Sequence, residues 1–334
     1  MRQTMAAAIL AFATLGVPAA AQEVMKFGGV LPPQSPIVTQ ALQPWMRAVE
    51  KDSGGGVAFQ EFWGGQLVRT PAKQLEAVLH GLQDASYISA AYTQQRFPEV
   101  SVVAYPYVVR DGFEASFALW RLYEKGMLSG FEDIYLPGIF TNDHAGIHLA
   151  KRIETFDQVK GMKIRISGPD EADILKLLGV APVAMNINGG AEAMHRGVVD
   201  GTFNAWAATA SFRMAPLVKT WIDEPLGVRP LMVVVSRASY AKLPEKARHA
   251  MDRHSGLAFT MRNAEVLDQM GAKLRMESRS NPAANVIELP QAERARKAAL
   301  FKPLVEQWIA ETANGAAKYA AFQEALAEYR KTRR

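Results

Sequence analysis

The side chains able to do chemistry are few in this 334-residue chain, and their spacing argues against most reactions. There is no cysteine, which removes thiol nucleophiles, thiolate zinc sites, iron–sulfur ligation and disulfides. The six histidines, His80, His144, His148, His195, His249 and His254, contain no H-E-x-x-H pair. His144 and His148 are four apart, but His148 falls in an expected strand, where residues four apart do not adjoin as they do on a helix. No G-x-G-x-x-G, Walker or G-x-S-x-G sequence occurs, and Gly54-Gly55-Gly56 and Gly189-Gly190 read as turn glycines. Ser239-Tyr240-Ala241-Lys242 matches S-x-x-K without the S-D-N and K-T-G partners that serine acylation needs. Asp170, Glu171 and Asp173 fit the first turn of a helix, where the macrodipole favours acids, better than a metal site. These residues predict no catalytic centre, no metal and no cofactor.

Arg165 is different. It lies on a short strand, Met162-Lys163-Ile164-Arg165-Ile166, opposite Met162, Ile164 and Ile166, and just before the loop and helix start at Gly168-Pro169. A strand arginine in this setting is either a solvated outer-face residue or, placed at a cleft, a fork that binds a carboxylate bidentately.

The elements that would position it alternate between strand and helix. Val24 to Val30 and the alternating Val57 to Trp63 read as strands. Ile37 to Lys51 reads as a helix ended by Ser53-Gly54-Gly55-Gly56, and Thr70-Pro71 opens another that runs to Gly81. Asp84 to Ser89 and Pro182 to Met185 are further strands, and Asp170 to Leu178 a helix stopped by Gly179. The alternation predicts an α/β protein with two lobes. From Leu243 to about Ser278 the pattern is helical with almost no breaker, long enough to run along the whole molecule, and Gln291 to Arg330 is helical too. The length itself favours about two domains.

An ungapped internal similarity supports lobes of related construction. Residues 76–87, from Glu76 to Tyr87, align with residues 192–203, from Glu192 to Phe203, with Glu, Ala, Gly and Asp identical. Each copy reads as a helix end, a glycine beyond it, a hydrophobic clamp, a turn carboxylate and a strand ending in an aromatic. Convergence on a common helix-to-strand connection is the alternative. Two such lobes facing one another create a cleft at their strand ends.

Composition and the N-terminus bear on where the protein works. The 49% hydrophobic and 21% charged content is globular, and the net charge of +5 comes from scattered basic residues rather than a stripe, so no nucleic-acid partner is expected. Arg2, the apolar run Met5 to Val17 and Ala19-Ala20-Ala21 read as a cleaved secretory signal peptide over residues 1–21. A membrane anchor is the alternative, but the run is interrupted by Pro18 and is short for a span.

The ordered motifs Phe156-Asp157-Gln158-Val159-Lys160-Gly161-Met162-Lys163-Ile164-Arg165, Leu178-Gly179-Val180-Ala181-Pro182-Val183 and Glu192 to Gly201 resemble the DctP-type solute-binding proteins of TRAP transporters. Trp63-Gly64-Gly65-Gln66-Leu67, Gly81-Leu82-Gln83-Asp84 and Tyr105-Pro106-Tyr107 extend the resemblance over nearly the whole mature chain. It implies a two-lobe periplasmic binding protein with a ligand cleft between the lobes and a long lobe-spanning helix. One lobe would comprise residues 23–142 and 230–271, the other 143–229 and 272–334. The protein would act as a monomer, capturing an organic acid and delivering it to membrane permease subunits.

The family's carboxylate-binding arginine maps to Arg165, and a position commonly Asn in relatives maps to Asn204, with Trp206 nearby as a packing wall. Many relatives carry a second arginine where Gly146-Ile147-His148 has histidine, so a doubly anchored dicarboxylate is disfavoured and His148 joins the candidate ligand set. Tyr87, Phe203 and Trp206 would suit a monocarboxylate with an apolar or aromatic body, or equally sit in the core. Ser35, Ser89 and Tyr92 complete the expected pocket. A sensor input module sharing the fold, or a secreted enzyme, are the competing functions.

Overall fold

Short alternating segments and short apolar runs form strands in the computed structural model, which describes residues 22–332. The expected signal peptide, residues 1–21, lies outside the described residues. In chain order the strands are β1 (Glu23–Gly28), β2 (Val57–Phe62), β3 (Ala85–Ser89), β4 (Ile134–Thr141), β5 (Ala145–Leu149), β6 (Lys163–Ile166), β7 (Ala181–Ala184), β8 (Gly201–Ala205), β9 (Thr220–Ile222), β10 (Pro230–Ser236) and β11 (Asn285–Ile287). They make two sheets, β2-β1-β3-β10-β4 in one lobe and β11-β9-β5-β8-β6-β7 in the other, with helices packed against each. The α/β two-lobe reading therefore stands.

Each sheet contains one strand that runs against its neighbours, β10 in the first and β5 in the second. Each of these is entered from the opposite lobe. The chain leaves β4 through Asn142, Asp143 and His144 into β5, and returns from β9 through residues 223–229 into β10. The two crossings are bonded to one another: Ala145 N donates to Gly227 O at 2.8 Å and Leu226 N to Ala145 O at 3.1 Å. A third link is the helix Leu257–Ser280, about 36 Å long at 1.5 Å per residue. Its Phe259 packs against Trp45 in the first lobe, whereas Leu274 joins the Trp206 and Trp221 cluster of the second.

The internal repeat has the same geometry in both lobes. Gly81 and Gly197 take left-handed φ values of 75° and 69°, which glycine adopts without a Cβ penalty. Leu82 N then donates to Ala77 O, and Val198 N to Ala193 O, each at 2.9 Å. The turn carboxylates tie each turn to the neighbouring parallel strand: Asp84 Oδ2 accepts from Lys26 N and Asp200 Oδ2 from Lys163 N, both at 2.8 Å. The expected hydrophobic clamp is absent in both copies, since Leu82 and Val198 are 53% and 51% exposed.

Two long helical expectations are interrupted. The stretch from Leu243 breaks between the helices Glu245–His254 and Leu257–Ser280 at Gly256, whose φ is 88° and whose N–H donates to Pro137 O at 2.7 Å. The last stretch divides at Asn314, φ 56°, into Gln291–Glu311 and Gly315–Thr332. The final helix, expected with the second lobe, packs on Gly112–Glu124 of the first. There Tyr329 meets Phe117 at 5.3 Å between ring centroids, and Arg330 forks onto Glu114 at 2.7 and 2.8 Å. Its apolar stripe of Phe322, Ala325 and Leu326 matches the core of that lobe.

Candidate ligand-binding cavity

The strand ends of both lobes and the two crossings line a cavity between the lobes. The first lobe contributes Tyr87 and Ser89 from β3, Tyr92 from the turn that follows, and Leu31 and Ile37 from the loop after β1. From the second lobe come Ser167 beyond β6, Ile187 and Asn204 on β8. The crossings supply Asn142 and Arg229. The walls are mainly apolar, so the few polar groups dominate what can be recognised.

Arg165 is fully buried, which removes the solvated outer-face reading. It does not itself line the cavity; its guanidinium lies behind Tyr92. Nε and Nη2 donate to Met185 O at 3.0 and 2.9 Å, and Nη2 also donates to the Tyr92 hydroxyl at 2.7 Å. Tyr92 belongs to the first lobe and Arg165 to the second, and Ile187 N donates to the same hydroxyl at 3.1 Å. Arg165 Nη1 has no hydrogen-bond partner among the described residues. Asn204, 5% exposed, accepts from Ala205 N through Oδ1 at 3.1 Å, and its Nδ2 is likewise without a partner.

The other expected residues separate into wall and support. Tyr87, Ser89 and Tyr92 line the cavity, and burial raises the Tyr87 phenol well above its ordinary range, keeping it neutral. Ser35 lines a neighbouring depression with Pro32 and Gln34, and its hydroxyl meets that of Ser211 across the lobes at 3.3 Å. Phe203 and Trp206 are buried in separate cores of the second lobe and do not line the cavity. Trp206 stacks on Trp221, with centroids 4.4 Å apart and planes 9° apart, and His148 packs against both rings.

His148 also lies outside the wall. Burial pushes it down to about 3, so the ring is neutral, and its Nε2 donates to Asn204 O at 3.0 Å, which fixes the tautomer. Asp143, at the first crossing, accepts from Trp206 N and Ala207 N at 3.1 Å each, capping the helix Trp206–Ser211. Burial pushes Asp143 up to about 7 despite those bonds and nearby Arg275.

Sequence reasoning missed Arg229. This side chain is 4% exposed, lines the cavity, lies 4.6 Å over the Phe203 ring, and pairs through Nε with Glu171 Oε1 at 2.8 Å. Its Nη1 donates to Val228 O at 3.3 Å, and its Nη2 has no partner among the described residues. The macrodipole reading of Asp170 and Glu171 is therefore incomplete. Both open the helix Pro169–Leu177 as expected, but both are buried. Glu171 ties Arg229 to Ser167 N, which donates to Oε2 at 2.8 Å. Burial pushes Asp170 up to about 6, opposed by the Arg229 charge. The only sequence signal was an arginine separated by Pro230 from the buried run Leu231 to Val235.

Two lobes joined by exchanged strands around an enclosed, mostly apolar cavity with a few polar donors define a ligand-binding protein of the two-lobe type. The chain belongs to the bacterial extracellular solute-binding protein family 7, the DctP family, whose model matches residues 27–312. A solute-binding protein of Albidiferax ferrireducens is 28% identical over 217 residues, covering 60% of this chain and 60% of that relative's length.

Two solved structures share the fold. One is a TRAP solute-binding protein from Rhodoferax ferrireducens, in complex with copurified benzoate. Its TM-score is 0.87 at 23% identity, over 93% of this chain and 99% of that one. The other is a marine metagenome TRAP solute-binding protein specific for aromatic acid ligands, in complex with 3-hydroxybenzoate. It gives 0.85 at 23%, over 92% of this chain and 99% of that one. Among the described residues no helix is long and apolar enough to cross a membrane, and no group of three or more His, Asp or Glu could hold a metal.

Proposed function

We propose that this protein captures an organic acid, a monocarboxylate with an apolar or aromatic body, in the interlobe cavity, and delivers it in the periplasm to the membrane subunits of a TRAP transporter. The observation that carries this reading is a set of unpaired buried donors, Asn204 Nδ2 and Arg229 Nη2 on residues that line a mainly apolar cavity and Arg165 Nη1 behind its Tyr92 wall. A buried donor left unsatisfied is costly, and a ligand rich in acceptors relieves it.

Arg165 makes its hydrogen bonds only to neutral oxygens, so its charge is free to meet a carboxylate. Asn204 donates to the same carboxylate or an adjacent oxygen. Tyr87, Ile88 and Leu231 supply the apolar wall for the ligand body, and Tyr92 and Ser89 complete the polar edge. His148, neutral and packed behind Asn204, sets that residue from the rear and brings no second charge for a dicarboxylate. Phe203 and Trp206 shape the wall from behind, and Ser35 contributes to closure through Ser211. The benzoate and 3-hydroxybenzoate carried by proteins of the same fold support an acid of this kind. Family membership supports transport over catalysis, and no cofactor enters the mechanism. A cleaved signal peptide over residues 1–21 brings the chain to the periplasm, where it acts as a monomer.

Thermal unfolding of the ligand-stripped chain against aliphatic, dicarboxylic, keto and aromatic acids tests the reading. Ligand at 100 times its dissociation constant stabilises by about 2.7 kcal/mol, a shift of several degrees. A shift with aromatic or apolar monocarboxylates, lost in Arg165→Ala, is expected. Stabilisation by dicarboxylates alone, or an Arg165→Ala response equal to the wild type, overturns it.

A further inference from the structure

Arg229 brings to the cavity wall a cation whose charge is already matched. Its Nε is 2.8 Å from Glu171 Oε1, and Asp170 lies beside that carboxylate, with Oδ1 accepting from Glu171 N at 2.9 Å. Arg165 has no such partner: its hydrogen bonds go to Met185 O and the Tyr92 hydroxyl. The two arginines therefore present different electrostatics to one ligand. A carboxylate at Arg165 meets an uncompensated charge. At Arg229 it would approach the Glu171 and Asp170 side chains in a poorly screened interior, where like charges repel strongly.

Arg229 still has a donor to offer. Nη2 is buried without a partner, and the guanidinium is held by the Phe203 ring beneath it, by Glu171 at its side and by the Val228 carbonyl. Its main-chain N–H is fixed as well, donating to Asn142 Oδ1 at 2.9 Å. A donor so restrained discriminates by geometry, since an oxygen that reaches it gains a charge-assisted hydrogen bond and a ligand lacking that oxygen leaves it unpaired.

We infer that Arg229 is a specificity-determining residue that reads a neutral oxygen on the ligand body, a hydroxyl or a carbonyl, and rejects a second carboxylate. The inference rests on the proposed seating of the ligand carboxylate at Arg165. It narrows the substrate class to oxygenated monocarboxylic acids.

Calorimetry on the full ligand-stripped chain with acids of one aromatic body tests it: phenylacetate, mandelate, phenylglyoxylate, 3-hydroxyphenylacetate and phenylmalonate. At least one oxygenated monocarboxylate is expected to bind about 10-fold or more tightly than phenylacetate, the scale of a hydrogen bond to a charged group, and phenylmalonate more weakly than phenylacetate. Because Arg229→Met alone strands the Glu171 carboxylate, the variant to use is Arg229→Met with Glu171→Gln, its folding checked by circular dichroism. There the preference for the oxygenated acid should collapse to a ratio near one. Equal wild-type binding of phenylacetate and all oxygenated acids, or a preference that survives in the double variant, would overturn the inference while leaving monocarboxylate capture in place; tightest binding of phenylmalonate would overturn both. Should Arg165→Ala keep wild-type affinity for phenylacetate, or none of the acids bind, the seating at Arg165 fails and the inference with it.

Discussion

The Tyr92 hydroxyl, in the first lobe, accepts a hydrogen bond of 2.7 Å from Arg165 Nη2, in the second. This bond ties the cation proposed to hold the ligand to the opposite lobe, and Ile187 N shares the same oxygen at 3.1 Å. Closure and anion recognition thus meet at one atom. Tyr92→Phe removes the acceptor and little volume. It is expected to weaken acid binding by roughly 10-fold or more, as for a hydrogen bond to a charged group, while the melting temperature without ligand falls by no more than a few degrees. Calorimetry and unfolding on the same preparation separate the two effects.

His148 makes the fold sensitive to acid. Unfolded, its ring takes a proton near 6.5; in the native packing between Trp206 and Trp221 it does so only near 3. Between these values the unfolded chain binds more protons, so this residue lowers stability as pH falls. His148→Gln, which keeps a donor for Asn204 O, should gain stability relative to wild type as pH drops from about 6.5 towards 3. Urea denaturation across that interval measures the difference, and parallel curves would contradict the assignment.

Asp143 should act with the opposite sign. Its carboxyl ionises near 3.8 when unfolded and near 7 when buried at the first crossing. In that window the native state holds more protons, so the residue lowers stability as pH rises. Asp143→Asn keeps an acceptor oxygen for one of the two N–H groups, of Trp206 or Ala207, at a cost that does not vary with pH, and its stability relative to wild type is expected to grow from pH 4 to pH 7. The same denaturation series gives this slope directly.

Local patterns in the sequence carried the repeated turns well. The glycines at 81 and 197 and the carboxylates at 84 and 200 act through bonds within a few residues or to an adjacent strand, and both copies have the predicted turn and strand, though not the clamp. Helix ends were less legible. Gly256 and Asn314 stop helices by single left-handed residues inside otherwise continuous helical patterns, and a lone glycine or asparagine is tolerated often enough to be passed over.

Burial of Phe203 and Trp206 was not readable either, since an aromatic after a turn suits a core and a cavity wall equally. Arg229 illustrates the harder limit. Its partner Glu171 and its neighbour Asn142 are far away in the chain, and only the exchanged strands bring all three together. The helix Gly315–Thr332 was misassigned for a related reason, because its apolar stripe does not say which lobe it will cover.

The most direct measurement is calorimetric titration of the ligand-stripped protein with an aromatic monocarboxylate, such as mandelate, and with its carboxamide, which has nearly the same shape and no charge. Carboxylate capture at Arg165 predicts saturable binding of the acid and at least a roughly 100-fold loss for the amide, in the range for leaving a buried charge unpaired. Equal affinity for acid and amide would contradict it.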